Sequence, residues 1–151
     1  MENVQSDFQV LDSFVSEFVI KNANNEKGKM EININSKVGF SIVKIFEKDN
    51  EYLGQIKLLN DYSITNKEKN IEITNIHIVM DGIFLGKKSL TRQEFEEKLK
   101  LKGAAELSNY TRAYIHSVTG LSGVQSVNVP IIDFNIFFKN AKYEEKQSDN
   151  K

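Results

Sequence analysis

A chain of 151 residues, 27% charged and 40% hydrophobic with a formal net charge of −1, is sized for one core and carries no field that would draw it to phosphate backbones or acidic lipid. The absence of cysteine excludes disulfides, thiolate metal sites and cysteine nucleophiles together. The opening MENVQSDFQV has no basic segment followed by an apolar one, and no stretch approaches the roughly 18 apolar residues that cross a bilayer, so a cytoplasmic protein without membrane insertion is expected.

No repeat or Pro/Ser-rich linker divides the sequence; one domain over residues 1–143 with a flexible charged tail at 144–151 is expected. Phe14, Phe18 and Ile20 alternate with Val15, Glu17, Val19 and Lys21, which predicts a first strand ending in a polar turn at Asn22–Gly28. The alternation returns at Met30, Ile32 and Ile34 and runs through Val38, Phe40 and Ile42 as a long second strand. After turn chemistry at Glu47–Glu51, the residues Tyr52, Ile56, Leu58, Tyr62 and Ile64 share one parity and predict a third strand, with the next turn at Thr65–Asn70. Ile71 and Ile73 are odd whereas Ile76, Ile78 and Met80 are even, so the fourth strand has to swap faces near Thr74 and Asn75, the usual work of a β-bulge. With Gly82–Gly86 closing that strand and every connection short, the four predict an antiparallel meander.

The period then changes. Thr91 with Glu94 makes a capping box, and Phe95 with Leu99 places a short helix at about Thr91–Lys100, which Gly103 interrupts. Ala104, Leu107, Thr111, Tyr114 and Val118 draw an apolar stripe down a second, longer helix stopped by Gly120. The next segment, LSGVQSVNVPIIDF at Leu121–Phe134, is unusually apolar for a surface connection. A final helix is expected within Asn135–Gln147.

Catalytic constellations are missing. His77 and His116 fall in a predicted strand and a predicted helix, without an HExxH, HxH or cysteine partner. Gly82 and Gly86 read as turn residues rather than a phosphate cradle. The carboxylates of Glu94, Glu96, Glu97, Glu144 and Glu145 alternate with lysines as solvated helix faces do. No catalytic residue, metal or cofactor is assigned, and a non-enzymatic protein is expected; the enzymatic alternative is a small-ligand site around His77 or Asp133.

Four short stretches carry a resemblance. They are Phe8-Gln9-Val10, the IFLG after Gly82, the segment ELSNYTRAYI with Leu107, Tyr110, Arg112 and Ile115, and VNVPIIDF with Val127, Asn128, Val129, Pro130, Ile132 and Phe134. In this order and at these distances they resemble the SecB export-chaperone family over most of the chain. The resemblance implies an α+β fold, a four-stranded antiparallel β-sheet followed by two main α-helices, assembled as a homotetramer that is a dimer of dimers. It also implies apolar grooves that hold unfolded client proteins. Val124, Val127, Val129, Ile131, Ile132 and Phe134 would then touch clients, the alternative being that this segment covers the protein's own core. Leu107, Tyr110, Arg112, Tyr114 and Val118 would serve a subunit interface or the helix itself. Glu17, Lys21, Asn75 and His77 occupy the positions of the family's acidic surface for the translocation motor SecA, and Glu17 alone keeps that acidity. The implied partners are unfolded polypeptides, SecA in export, or one dedicated client such as an antitoxin. A different class of function is an adaptor that joins folded partners.

Overall fold

A computed structural model describes residues 6–22, 31–121 and 127–140. Four strands, β1 (Phe8–Asn22), β2 (Ile32–Lys48), β3 (Glu51–Asn66) and β4 (Ile71–Lys87), form one antiparallel sheet in the order β1-β4-β3-β2. Helix α1 (Arg92–Lys98) runs through a π-helical turn at Leu99–Gly103 into α2 (Ala104–Leu121), and a short helix α3 follows at residues 134–140.

The alternation in β3 is nearly perfect. Tyr52, Ile56, Leu58, Tyr62 and Ile64 are buried on one face, and the register sets Ile76, Ile78, Met80 and Phe84 of β4 beside them. Both turns of the β2-β3-β4 meander fall where turn residues cluster. Asp49 (φ 51°) and Asn70 (φ 53°) take the left-handed conformation that Asp and Asn tolerate best. The expected four-strand meander is not formed, however, because β1 pairs with β4 at the far edge instead of with β2. This Greek-key arrangement places the two strands with the most fully buried residues in the centre. Period-two patterning shows which face of a strand is apolar and carries no information about its neighbour. Of the turn expected at Asn22–Gly28, Asn22 ends β1 and the rest lies outside the described residues.

Register breaks re-aim several side chains. The bulge expected near Thr74 falls at Ile73, since Ile64 and Thr65 pair with Thr74 and Glu72. In β1, Leu11 and Ser16 are extra residues, and the Ser16 hydroxyl donates to the Val79 carbonyl at 3.3 Å. The break at Ser16 separates Phe14 from Phe18 and Ile20. It is Val15 that shares their helix-side face, while Phe14 is exposed.

The capping box forms as expected: Thr91 accepts the Glu94 N–H, and the Glu94 carboxylate accepts the Thr91 N–H. Gly103 does not interrupt the helix. Phe95, Leu99, Gly103, Leu107, Thr111, Ile115 and Thr119 are buried at every fourth position. In an unbroken α-helix such a stripe rotates by about 40° per step, and the wider π turn unwinds part of that drift so the stripe keeps facing the sheet.

The helix sits close because the sheet makes room for it. Gly82 and Gly86 lie inside β4, not at its closing turn, and a Cβ on Gly86 would stand 2.5 Å from the Phe95 ring. One on Gly82 would stand 2.7 Å from Leu107 Cδ2. Two adjoining clusters result. One gathers Phe8, Tyr52, Ile56, Phe84, Phe95, Leu99, Leu107 and Phe134; the other gathers Tyr62, Ile64, Ile76, Ile78, Ile115, Val127 and Val129. The segment after α2 is fastened to the helix it leaves. Arg112 Nε donates to the Val129 carbonyl at 3.1 Å, and Thr119 Oγ1 accepts the Val127 N–H at 3.0 Å while donating to the Ile115 carbonyl at 2.7 Å.

Gly86→Ala is expected to cost about 1–3 kcal/mol through overpacking against Phe95, read as a lower urea midpoint with an unchanged slope. Arg112→Met removes the donor from the Val129 carbonyl. It is expected to cost about 1–3 kcal/mol and to make the 127–134 segment the first site cut in limited proteolysis.

Candidate functional site

One helix cannot cover four strands. Strands stand about 4.8 Å apart and a helix with its side chains is about 10 Å across, so a single helix shields roughly two of them. Here α2 packs over β3 and β4. The apolar residues that the edge strands turn to the same side are only partly covered: Val15, Phe18 and Ile20 on β1, and Ile34, Val38, Phe40, Ile42 and Ile45 on β2.

On the β1 flank this leaves an open cleft of about 450 Å³. Ser13, Phe14 and Val15 of β1, Met80 of β4 and Tyr110, Ala113, Tyr114 and Ser117 of α2 line it, and none of them is charged. The Tyr114 ring stands edge-on to Phe18 at 5.2 Å. The Tyr110 hydroxyl bonds to the Glu106 carboxylate, which together with burial pushes its titration upward and keeps it a neutral donor.

On the β2 flank the cover is α3. Asp133 caps it, accepting the N–H groups of Asn135 and Ile136 at 3.0 and 3.3 Å, which accounts for this carboxylate without a ligand. Phe138 packs edge-on to Phe40 of β2 at 5.0 Å and against Phe137 at 5.0 Å, with Phe134 behind them. Seven residues of helix leave the apolar margin open, with Ile131 77% and Ile136 57% exposed.

The residues singled out in the sequence separate accordingly. Of those read as touching clients, Val127, Val129 and Phe134 are buried in the chain's own core, so in this conformation they are spent on folding. Arg112 and Thr119 hold the segment flat, which turns Val127 and Val129 inward and Asn128 and Pro130 outward. Ile131 is exposed, Ile132 is half-buried, and Val124 lies outside the described residues. Of those read as interface residues, Leu107 is fully buried against the sheet and Arg112 serves the Val129 carbonyl within the chain. Tyr110 and Tyr114 line the cleft, and Val118 is half-buried on the same helix. Thr119, Phe137 and Phe138 were not singled out as site residues. Threonine late in a helix carries no pattern that announces a bond to a later segment, whereas the FNIFF run at 134–138 does advertise an apolar cluster.

Glu17, Lys21, Asn75 and His77 lie together on the face of the sheet away from the helices, with Lys21 opposite Asn75 in the register. His77 Nε2 meets Glu17 Oε2 at 2.9 Å and His77 Nδ1 meets Asp61 Oδ1 at 2.6 Å. These bonds, Glu17 first and Asp61 second, raise the imidazole above its usual titration range. Asp61 escapes a motif search because its partners come from two other strands. Its parity, opposite to that of the buried β3 residues, is the sequence signal that it lies on this face. Nearby, the nearly buried Asp81 accepts from Gln55 at 3.2 Å and pairs with Lys57 at 3.5 Å. Among the described residues no group of histidine and carboxylates is arranged to hold a metal ion, and no helix is long and apolar enough to cross a membrane.

No protein-family model matches the chain, and no curated protein matches its sequence. Among solved structures, the chain is similar to a SecB-like chaperone of Mycobacterium tuberculosis in complex with a ChAD peptide from the HigA1 antitoxin, with a TM-score of 0.63 and 13% identity, covering 83% of this chain and 91% of that one. A protein of unknown function from Streptococcus agalactiae superposes with a TM-score of 0.45 and 15% identity, covering 82% of this chain and 96% of that one. The four-stranded antiparallel sheet followed by one long helix is thus the SecB-like fold.

Proposed function

We propose that the protein is a SecB-like chaperone, a non-enzymatic holdase that keeps non-native polypeptide segments against the β2 flank of its sheet and joins copies of itself across the β1 cleft. The observation that carries this reading is the apolar margin on both edge strands, which the described residues cover only in part. Each apolar side chain gains about 1.5–3 kcal/mol on full burial whatever the sequence it meets, so a client is held by what it exposes rather than by a motif. Several such margins in one assembly add through effective concentration, and the dimer-of-dimers tetramer expected from the family resemblance would supply them.

The two flanks suit different partners. The β2 flank is lined by phenylalanines and isoleucines around a short helix, surfaces that repack around varied side chains. The β1 cleft has the small residues Ala113 and Ser117 beside two tyrosines and no charge, which favours the close approach of a second α2. The antitoxin peptide bound by the mycobacterial chaperone supports a client of that kind, a peptide segment of an antitoxin. Export with SecA is the weaker form of the reading. Glu17, the acidic member of the corresponding surface, is already bonded to His77, and Lys21 reverses the charge.

Diluting a denatured model protein into buffer at subunit excess is expected to give less light scattering with this chain than without it; equal scattering would refute general holdase activity. Ile131→Asp with Ile136→Asp is expected to weaken that suppression several-fold while stability stays within about 0.5 kcal/mol of the parent, as befits exposed positions. Tyr114→Asp is expected to lower the assembled mass in sedimentation with the single-chain fold retained by circular dichroism.

A further inference from the structure

Three strands meet at His77. Glu17 reaches it from β1 at 2.9 Å and Asp61 from β3 at 2.6 Å, each carboxylate on a different ring nitrogen. An ionised carboxylate only accepts, so each of these nitrogens has to donate, and an imidazole that donates from both is the doubly protonated cation. Without that proton, one carboxylate faces a nitrogen lone pair, and two negative charges are left around a neutral ring. Other charged groups on this side include Lys21 on β1, Lys37 on β2, which stands opposite Asp61 in the register, Lys57 on β3, and Glu72 and Asp81 on β4; no described helix packs on this face.

We propose that Glu17, His77 and Asp61 form a proton-operated clasp that fastens the edge strand β1 to the centre of the sheet. Its place in the fold gives it leverage. Glu17 directly follows the bulge at Ser16, where the ladder between β1 and β4 is already interrupted, and the same stretch of β1 supplies Val15 to the cleft. Beyond the ladder itself, the clasp is a charged link that crosses from β1 over β4 to β3. The raised titration of His77 agrees in sign: a group whose folded value is raised adds stability that is complete below its unfolded value, about 6.5, and that disappears as pH climbs through the folded value. The clasp is therefore closed in mild acid and opens toward alkaline pH. Glu17 and Asp61 are both solvent-accessible, so the effect is modest.

The test is a proton NMR titration of the full chain carrying His116→Gln, which leaves His77 as the one imidazole, alongside thermal unfolding across the same pH range. The ring is expected to titrate above the ordinary imidazole value and to move down in both Glu17→Gln and Asp61→Asn. The unfolding midpoint is expected to fall by roughly 1–4 °C as pH rises through that titration, with a smaller fall in His77→Gln. Exchange of the β1 amides bonded to β4, corrected for intrinsic rate, is expected to quicken over the same interval in the parent and not in His77→Gln. A ring that titrates at or below the ordinary value, or one indifferent to both carboxylate variants, would overturn the clasp. So would parallel midpoint and exchange profiles for the parent and His77→Gln.

Discussion

The architecture rests on a mismatch of widths: a sheet four strands wide lies under a helix that shields two. Glycines at 82 and 86 seat the helix so deeply over β4 that Phe95 and Leu107 occupy space a methyl group would need. That depth gives the centre of the sheet a dry core, and it pins the helix where it cannot also cover the edges. The apolar residues of β1 and β2 are what this geometry leaves over, and the functional reading follows from them.

Much of this was legible beforehand for identifiable reasons. Long alternating runs such as Tyr52 to Ile64 leave little choice but a strand with one buried face, and Thr91 with Glu94 announces a helix start through two reciprocal hydrogen bonds. Pairing order was not legible, because β1 has the same alternation whether it lies beside β2 or β4. The π turn was hidden too. A glycine at 103 carries the composition of a break, and only its contact with the sheet, where a Cβ would stand 3.0 Å from Ile56 Cδ1, shows it to be a point of close approach inside a continuous helix. The connection after α2 left two readings open for a related reason, client contact or cover of the chain's own core. Apolar residues in a loop look available until two polar side chains, Arg112 and Thr119, are seen holding its backbone down and turning Val127 and Val129 inward.

The two faces of the sheet obey different rules. On the helix side the polar groups of Asn60, Tyr62 and Thr111 are buried without a hydrogen-bond partner among the described residues, and burial lifts the Tyr62 phenol to about 12. Such groups cost stability and restrict how the helix may sit. On the other side the charges come in sets: His77 meets two carboxylates, and Asp81 engages Lys57 and Gln55 through Oδ1 while its buried Oδ2 has no hydrogen-bond partner among the described residues.

The irregularities of the two outer strands have a consequence of their own. A long, flat rim of unpaired amides is a template on which further strands can stack without limit, a particular hazard for a protein proposed to handle sticky, half-folded chains. Extra residues at Leu11 and Ser16 leave β1 no straight run longer than Glu17–Asn22, and Val43 breaks β2 between Ile42 and Lys44. Each kink twists the rim and spoils the repeat that fibril growth needs. Lys37, Lys44 and Lys48 add repulsion along the second rim. The same features that look like defects in the ladder make both rims poor templates for the stacking of further strands.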